Sequence, residues 1–443
     1  MTSPSPQPLD FARSDNPLLD RLLRAAGSQQ ISGVDLSLAR IERQLKRMAS
    51  PHEKLPPVFH VAGTNGKGST IAFLRAALEA AGHRVHVFTS PHLVRVNERI
   101  RVAGQLISDE DFIEALSEVL RFSAGQPLSF FEALTAAAFL LFAATPADAT
   151  LLEVGLGGRL DSTNVVTQPL VTGIATLALD HVAILGPTLR HIAMEKAGIA
   201  KRGVPLVTQK YPAAIAAAVA EAAIPRGGRL LARGDAWDAA IEDGQLAFRM
   251  AADAESLLLP LPKLAGPHQA DNAALAVAML RAQDQLLVPD SALRSAMGWA
   301  QWPARLQTLP PGPLVDALGA GSELVVDGGH NPSAGKAITS HLQGQDDPRP
   351  LHVVIGMLTT KDHAAFIRSF RRGTRMTMVP IADHGCQPPE LLAEAARAAG
   401  MEADVAADLW QALARVVQPA RVLVAGSLHL AGLALQLNDT LPR

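Results

Sequence analysis

The chain has 443 residues, of which 48% are hydrophobic, and its formal net charge at pH 7 is −2. That length exceeds what a single hydrophobic core serves, so we expect two or three domains of an ordinary globular protein. The near-neutral charge gives no reason to expect nucleic acid or an anionic membrane as a partner. The one cysteine, Cys386, excludes an internal disulfide and fits a reducing compartment.

The chain shows neither a secretory signal nor a membrane span. Residues 1–16 are polar and lack a basic start followed by an apolar stretch. The most apolar window, residues 133–144, is too short to cross a bilayer and predicts a buried helix. We therefore expect a cytoplasmic protein.

The first part of the chain predicts helices followed by an α/β pattern. Residues 17–50 alternate leucine and arginine at helical spacing, which predicts two helices around residues 30–33. Short β-type runs then alternate with helical segments, which favours a mostly parallel sheet with helices on its faces. The predicted strands are residues 58–62, 84–89, 150–153, 170–176 and 205–209. Residues 235–259 predict a small β-excursion, and residues 266–287 predict a helix.

Near residue 300 the composition of the chain becomes typical of a linker between domains. The tryptophan-containing segment 299–305 is followed by Pro-Pro-Gly-Pro at 310–313, which is typical of a linker. A second α/β series follows, with predicted strands at residues 324–327, 352–355, 376–379 and 422–425. We expect an N-terminal domain of residues 1–300 and a smaller, Rossmann-like α/β domain of residues 301–443.

Residues 58–81 predict a loop that holds the phosphates of ATP. An apolar strand leads into the glycine-rich segment 63–68, and residues 71–81 predict a helix whose N-terminal N–H groups point at the loop. Lys67 offers a charge for the terminal phosphates, and Ser69 or Thr70 offers a hydroxyl. The first domain is thus predicted to be a P-loop ATPase domain.

The spacing of this loop departs from the usual pattern of Gly, four residues and Gly-Lys-Ser/Thr. Gly63 lies three residues before Gly66, and Gly68 follows the lysine, so the hydroxyl is displaced by one position. A plain glycine-rich turn is the alternative. The strand–loop–helix context favours phosphate binding.

Polar side chains recur at the ends of predicted strands, where open α/β sheets bind their ligands. Glu153 ends one strand, and Asp180 and His181 follow the next. A carboxylate and an imidazole near a phosphate loop can hold a hard divalent cation. Taken alone, each residue also fits a cap, a turn or a satisfied polar core position.

Two further turns have both a structural and a functional interpretation. Gly155, Gly157 and Gly158 precede Asp161 and Asn164 in a second glycine turn, and such loops often only reverse the chain. Residues 327–332, Asp-Gly-Gly-His-Asn-Pro, follow a predicted strand of the second domain. They form either a strand-to-helix turn or a polar cluster that closes over the nucleotide.

The ordered set of motifs resembles the folylpolyglutamate synthase and dihydrofolate synthase family of the Mur ligase superfamily. The motifs are residues 63–69, Ser-Pro-His-Leu at 90–93, and residues 153–161, 179–181, 195–198, 268–272, 302–305, 327–330 and 355–358. The resemblance runs from about residue 18 to residue 430. It implies an ATP-dependent ligase with small-molecule substrates, namely dihydropteroate, reduced folates and L-glutamate.

The resemblance also implies roles for individual residues. The predicted ATP contacts are Thr64, Asn65, Gly66, Lys67, Gly68, Ser69, Asn272, Arg305, Asp327 and His330. The predicted Mg²⁺ ligands are Ser90, Glu153 and His181, with a monovalent cation alongside, so that Ser90 supplies the displaced hydroxyl. Lys196 matches a lysine that is carbamylated in the family, and Lys67, Lys196 and His181 are the implied catalytic residues.

A pterin site is implied near an N-terminal segment and two loops. Its residues are Ser28, Gln29, Gln30, Ile31, Ser129, Phe130, Phe131, Glu132, Leu160, Asp161 and Ser162. Phe130 and Phe131 could stack on a flat pterin, although one of two adjacent phenylalanines is usually core. Gln30 and Ser37 depart from the family pattern, which has a histidine nearby and Ile-Asp-Leu-Gly.

The implied chemistry needs no nucleophilic side chain. A carboxylate is activated by the γ-phosphoryl group of ATP, and the amino group of glutamate attacks the resulting acyl phosphate. We predict a monomer that acts on both dihydropteroate and reduced folates. The alternatives are a folylpolyglutamate synthase alone, another Mur-type amino-acid ligase and a P-loop regulatory NTPase.

Overall fold

The computed structural model describes residues 14, 16–28, 37–381, 385–417 and 419–442. The first part of the chain contains α1 (Pro17–Ser28), α2 (Ala39–Arg47), β1 (Val58–Ala62), α3 (Lys67–Ala80), β2 (Val85–Phe88), β3 (Ile100–Val102), β4 (Gln105–Leu106), α4 (Asp109–Ser123), α5 (Phe130–Ala144), β5 (Ala149–Glu153), β6 (Val171–Ile174), α6 (Val182–Leu185), α7 (Leu189–Ala197), β7 (Pro205–Thr208), α8 (Ala213–Ala223), β8 (Arg229–Ala232), β9 (Trp237–Glu242), β10 (Gln245–Met250), β11 (Leu257–Pro260), α9 (His268–Arg281) and α10 (Asp290–Trp299).

The remaining elements belong to a second α/β series. They are β12 (Gln307–Thr308), α11 (Pro313–Ala317), β13 (Glu323–Val326), α12 (Pro332–Gln343), β14 (Leu351–Ile355), α13 (His363–Ile367), β15 (Arg375–Met378), α14 (Pro389–Ala398), β16 (Glu402–Val405), α15 (Leu409–Ala414), β17 (Arg421–Ala425) and α16 (Leu428–Leu437).

The first sheet places β1 at its centre. In the described part of the chain its strand order is β4-β3-β2-β5-β1-β6-β7-β8. The strands from β2 to β8 in this order pair in parallel, whereas β3 and β4 form an antiparallel edge. Every residue of β1 and β5 is buried, as expected for strands covered on both faces. Because the strands are parallel, the loops after β1, β2, β5 and β6 emerge at the same edge.

Helices cover both faces of this sheet. α3, α9 and α10 pack together on one face, with Ile71 and Leu74 of α3 fully buried, and α4 and α5 contribute to a separate core that includes Phe139. α9 approaches β6 closely at Gly173, where an added Cβ would lie 2.4 Å from the sulfur of Met279. The small antiparallel sheet, in the order β11-β10-β9, adds Trp237 and Phe248 to the core beneath α9.

The second sheet repeats the arrangement. Its strand order is β12-β13-β17-β14-β15-β16 in the described residues, and all of its pairs are parallel except β12 with β13. The carboxyl ends of β13, β14 and β17 lie together at one edge. Two apolar clusters, one including Leu324 and Val424 and the other Val353 and Leu423, cover its faces.

The predicted α/β fold class is confirmed, and most predicted strands coincide with observed ones within one or two residues. α3 begins at Lys67 instead of residue 71, since Lys67–Thr70 already form its first turn. α9 ends at Arg281 instead of 287, because the Gln283 side chain bonds Leu280 and Leu286 and closes a turn. β16 was missed because its outward residues Glu402 and Asp404 interrupt the apolar run.

The described part of the chain holds no helix with the length and apolar character needed to cross a membrane.

We predict that Leu74→Ala destabilises the protein by about 2–5 kcal/mol, because it leaves a cavity between α3 and its neighbours. Leu287→Ala is the matched control. Its side chain is 81% exposed, so it should change stability by no more than about 0.5 kcal/mol. Denaturant unfolding of both variants checks this, and equal losses would contradict the packing described for α3.

Candidate active site

The phosphate loop joins β1 to α3 and requires its glycines. Gly63 and Gly66 have φ angles of 155° and 86°, which side chains rarely permit. A Cβ at Gly66 would lie 2.3 Å from Oδ1 of Asn272, so the loop also has no room for one. The loop therefore brings bare backbone and the N-terminus of α3 to the edge of the sheet.

Hydrogen bonds fix this loop to the segment after β6. The amide of Thr64 donates to the Thr176 carbonyl at 2.8 Å, and its hydroxyl donates to the Ala178 carbonyl at 3.0 Å. The Thr70 hydroxyl donates to the Gly66 carbonyl, just before α3. Ser69, in contrast, lines a cavity next to the loop. Of the two predicted hydroxyls, only Ser69 is at the cavity.

Lys67 folds back over its own loop. Its Nζ donates to the Gly63 carbonyl at 3.2 Å and lies 3.8 Å from Oε1 of Glu153. Glu153 is buried at the end of β5, and its Oε2 accepts from the Ser90 amide at 3.2 Å. Burial raises the pKa of the Glu153 carboxyl, and the positive charge of Lys67 opposes this shift. Two predicted metal ligands thus lie beside the phosphate-loop lysine.

His181 lies at the end of the segment that follows β6. Its φ of 51° is in the left-handed region, which is uncommon for a non-glycine residue and is found at functional sites. Partial removal from water, together with the charge of Lys361, lowers the pKa of its imidazole to about 4. His181 is therefore neutral near pH 7, as a metal ligand must be.

The donor set suits a hard divalent cation that also takes phosphate oxygens. The described residues contain no group of three His, Cys, Asp or Glu side chains that could hold a metal by themselves. Ser90, Glu153 and His181 would supply a hydroxyl, a carboxylate and an imidazole at one cavity. Such a partial set fits Mg²⁺, which keeps water and substrate ligands.

Lys196 of α7 is 5% exposed. Its Nζ donates to the Gly157 carbonyl at 3.4 Å, in the glycine turn after β5. Burial, assisted by the charge of Lys67, lowers the pKa of this amine to about 7. Near neutral pH a large share of Lys196 is uncharged, which is the reactive form of an amine.

The second α/β unit, which comprises β12 to β17 and their helices, contributes a loop to the cavity. The first unit is the part of the chain before β12. Asp327 follows β13, and its carboxylate accepts from the amides of Leu306 at 2.8 Å and Gly329 at 2.6 Å. His330 in the same turn has Nδ1 2.9 Å from the Gly328 carbonyl. Asp327 therefore shapes the loop that presents His330.

Asp180 connects the two units. Its Oδ1 accepts from Nζ of Lys361 at 2.7 Å, with both side chains 9% exposed. Its Oδ2 lies 3.4 Å from Nε2 of His330. The same oxygen accepts a hydrogen bond from the side-chain amide of Asn331 at 3.3 Å. Burial alone would raise the pKa of Asp180, but the His330 and Lys361 contacts hold it well below its ordinary value. Asn65 and Asn331 add a reciprocal pair of amide hydrogen bonds at 3.1 and 3.0 Å.

One cavity of about 210 Å³ lies between these groups and is lined by both units. All predicted ATP and metal residues line it, together with Lys196: Thr64, Asn65, Gly66, Lys67, Gly68, Ser69, Ser90, Glu153, His181, Lys196, Asn272, Arg305, Asp327 and His330. A second cavity of about 240 Å³ lies at the ends of β7 and β8. Its Arg233 is already paired with Asp238 and Asp271, so we assign the site to the first cavity.

The described residues of the predicted pterin site do not line this cavity, and several of them have structural partners. Gln29, Gln30 and Ile31 lie outside the described residues, as does the side chain of Ser28. Ser129 and Glu132 form a capping box at the start of α5, and Glu132 also pairs with Arg40 at 3.1 Å. Their polar groups therefore stabilise the helix end.

The other predicted pterin residues surround the turn after β5. Phe131 packs on Gly155, where an added Cβ would lie 2.6 Å from its ring, and Arg99 lies 5.6 Å from the centre of the Phe130 ring. The buried carboxylate of Asp161 accepts from the amides of Gly155 and Leu156, so it holds the glycine turn. Leu160 is half-buried, and Ser162 begins a short 3₁₀ segment.

The sequence interpretation missed two residues at the site. Lys361, after β14, is the cation that pairs with Asp180, and the strand-end rule that selected Asp327 could have found it. His268, at the start of α9, lines the cavity, and its buried Nδ1 has no hydrogen-bond partner among the residues that the structure describes. It belongs to the motif at 268–272 but was not singled out.

Comparisons with known proteins show which family the chain belongs to. The family described as "Mur ligase, glutamate ligase domain" matches residues 314–428. The dihydrofolate synthase/folylpolyglutamate synthase of Escherichia coli (strain K12) is 34% identical over 419 residues, which is 92% of each chain. The fold is that of Mur-type, ATP-dependent ligases. Within that class, the chain belongs to the dihydrofolate synthase/folylpolyglutamate synthase family, and the resemblance of its motifs is confirmed.

Solved structures of the same family are similar to this chain over nearly its whole length. E. coli FolC in complex with DHPP and ADP superimposes with a TM-score of 0.83 at 33% identity, covering 96% of this chain and 98% of that one. A bifunctional folylpolyglutamate synthase/dihydrofolate synthase with Mn, AMPPNP and L-glutamate bound has a TM-score of 0.81 at 31% identity, covering 95% and 98%.

We predict that Asp180→Asn opens the two units in the ligand-free protein. The change keeps the shape of the side chain but leaves Lys361 without its counter-charge, and breaking a buried pair in this way costs about 3–5 kcal/mol. Small-angle scattering should show a larger radius of gyration. Asp346→Asn, at an exposed carboxylate of the second unit, should leave it unchanged. An unaltered scattering profile for Asp180→Asn would exclude this role.

Proposed function

We propose that this protein is an ATP-dependent ligase that joins L-glutamate to dihydropteroate, giving dihydrofolate, and to reduced folates, giving folylpolyglutamates. The observation that carries the proposal is the cavity in which the phosphate loop of the first sheet faces the Asp327–Asn331 turn of the second. A ligase needs the nucleotide held on one side and a water-excluding cover on the other. We assign these tasks to residues 1–300 and 301–443.

In this proposal the phosphate loop binds the triphosphate. Thr64, Asn65, Gly66, Gly68 and Ser69 surround the phosphates with backbone N–H groups and hydroxyls. Lys67 exchanges its present carbonyl contacts for the terminal phosphate, where its charge offsets the charge that develops during transfer. Asn272, Arg305, Asp327 and His330 contact the nucleotide from α9, the linker and the second unit.

Ser90, Glu153 and His181 would hold Mg²⁺. When bound there, the ion neutralises charge on the phosphate oxygens and orients the transferred group. The proposal is supported by the bound Mn and AMPPNP of the related structure and by the neutral imidazole of His181. A monovalent cation at the same site, a monomeric state and a cytoplasmic location stay predictions.

Lys196 is proposed to carry a carbamate. Its neutral amine would attack CO₂, form an N–C bond and release a proton, which turns a buried cation into an anion facing the metal ligands. A pKa of about 7 makes the neutral amine available near physiological pH. The Gly157 carbonyl, 3.4 Å away, would then accept from the carbamate N–H.

The reaction proceeds by positioning and electrostatics. The substrate carboxylate attacks the γ-phosphorus to give an acyl phosphate and ADP. The neutral amino group of glutamate then attacks the acyl carbon, phosphate leaves, and the amine loses a proton to complete the amide. Closure of the two units keeps water from the acyl phosphate, and the Asp180–Lys361 pair supports that closed form.

The pterin is proposed to bind between residues 28–31 and the loops at 129–132 and 160–162. Since the polar groups of Ser129, Glu132 and Asp161 are used in helix caps and turns, recognition would depend on the Phe130 ring, backbone groups and the N-terminal segment. Two binding modes at one activation site would serve both substrates, which share a pterin and differ in whether the activated carboxylate belongs to an aminobenzoate or to a glutamate.

The proposed function is tested by supplying purified protein with ATP, Mg²⁺, glutamate and either dihydropteroate or tetrahydrofolate. We expect dihydrofolate in the first reaction and glutamylated tetrahydrofolate in the second. Lys67→Ala should lower both turnover numbers by about 10²–10³-fold, because it removes a preorganised charge at the transferred phosphate. Thermal denaturation should show that the variant remains folded.

Lys210→Ala, at an exposed lysine, is the control and should keep full turnover. Product with tetrahydrofolate alone would limit the protein to a folylpolyglutamate synthase. ATP turnover that ignores both pterin and glutamate would reject the ligase assignment in favour of a regulatory NTPase.

Carbamylation of Lys196 is tested with isotopically labelled bicarbonate and NMR. The wild type should show a carbamate signal that grows as the pH rises through about 7, because the neutral amine becomes dominant above its pKa. Lys196→Arg should lose the signal and lower turnover by about 10²-fold. Lys201→Arg removes another lysine whose pKa is lowered by burial, and it should retain the signal. A signal that persists in Lys196→Arg would refute the assignment.

A further inference from the structure

The phosphate loop contains a glycine that backbone conformation does not explain. Gly68 follows Lys67, where the usual pattern has serine or threonine, yet it lies within α3 and does not have a positive φ. A glycine inside a helix is less favourable than alanine, because it loses more backbone freedom on folding. The position therefore has a different requirement.

Trp302 occupies the space that a side chain at position 68 would take. A Cβ built on Gly68 would lie 2.4 Å from Cζ2 and 2.8 Å from Nε1 of the Trp302 indole. The indole therefore rests directly on the backbone of the first turn of α3. Because tryptophan is rigid and half-buried here, it cannot move aside as the end of a flexible side chain would.

The residues just after Trp302 are fixed to the second unit. The Ala304 carbonyl accepts from the Gly328 amide at 3.0 Å, and the Leu306 amide donates to Oδ2 of Asp327 at 2.8 Å. Ala304 and Leu306 have φ angles of 54° and 46°, a strained conformation that persists only where surrounding contacts impose it. Residues 302–306 thus contact the phosphate-loop helix at one end and the Asp327 turn at the other.

Arg305 lies between these two attachments. Its Nη1 donates to the Ala304 carbonyl at 2.8 Å, and its charge reaches the cavity, where it helps to oppose the burial-induced rise in the pKa of Glu153. A shift of the linker against α3 would therefore move a cation relative to the phosphate loop.

We propose that Trp302 is a positioning residue that fixes where the second unit lies relative to the phosphate-loop helix. In this arrangement Gly68 is present because the indole must lie against the helix. The Trp302–Gly68 contact then holds Arg305 and the Asp327 turn over the nucleotide phosphates. This inference rests on the proposed function only in taking the cavity as the nucleotide site.

The test uses ADP with Mg²⁺ as the probe, measured by calorimetry on the full-length protein without folate or glutamate. Trp302→Ala should weaken ADP binding about tenfold or more and lower ligase kcat by about 10²-fold, since small displacements of charged groups cost that much. Trp302→Phe keeps an aromatic face on Gly68, so it should restore most of the ADP affinity and most of the ligase kcat. Trp299→Ala removes a 64% exposed tryptophan of the same segment and should leave both unchanged.

The decisive comparison is a double variant. Gly68→Ala alone should weaken ADP binding, because its methyl group collides with the indole and displaces the linker. Adding Trp302→Ala frees that space, so the double variant should bind ADP no worse than Trp302→Ala alone. Losses that multiply in the double variant, or normal binding by Gly68→Ala or Trp302→Ala, would overturn the proposal. Because this readout needs no folate chemistry, it stands even if the ligase assays fail.

Discussion

A carboxylate that is nearly removed from water, Asp180, faces the ammonium group of Lys361 across the boundary between two separately built sheets. Neither charge is stable in such surroundings without the other. The pair therefore requires the loop after β6 and the loop after β14 to remain in contact. The reciprocal amide bonds of Asn65 and Asn331 lie beside it, and the cavity between the units is defined by these contacts.

The cavity brings opposite charges close together, and two of its titratable groups, Glu153 and Lys196, are buried. Burial raises the pKa of Glu153 and lowers that of Lys196, so each is moved toward its neutral form. Such a site gains most when a polyanion and a divalent cation enter together, because the two ligands supply the charges that the buried side chains lack.

Much of this arrangement could be predicted from the sequence, because it follows from topology. Parallel strands of one sheet end at the same edge, so Glu153 and His181 could be placed near the phosphate loop from their positions after apolar runs. Asp327 follows a strand of the other sheet, and only the family resemblance brought it to the nucleotide. The direction of a side chain could not be predicted in this way. Asp161 and Glu132 are polar residues at promising positions, yet their carboxylates are bound to nearby amides. The contacts of Lys361 with Asp180 and of Trp302 with Gly68 join residues far apart in sequence, and no local pattern announces them.

The close approach of α9 to β6 at Gly173 has a consequence for how inactivating substitutions are distributed. The same helix carries Asn272, whose side chain lies against Gly66 of the phosphate loop. An alanine at position 173 would displace only the flexible end of Met279, whereas a bulky side chain there would push the helix away from the sheet, taking Asn272 with it. A genetic screen for loss of nucleotide binding would therefore recover residue 173, in the middle of a buried strand, alongside residues that touch the ligand.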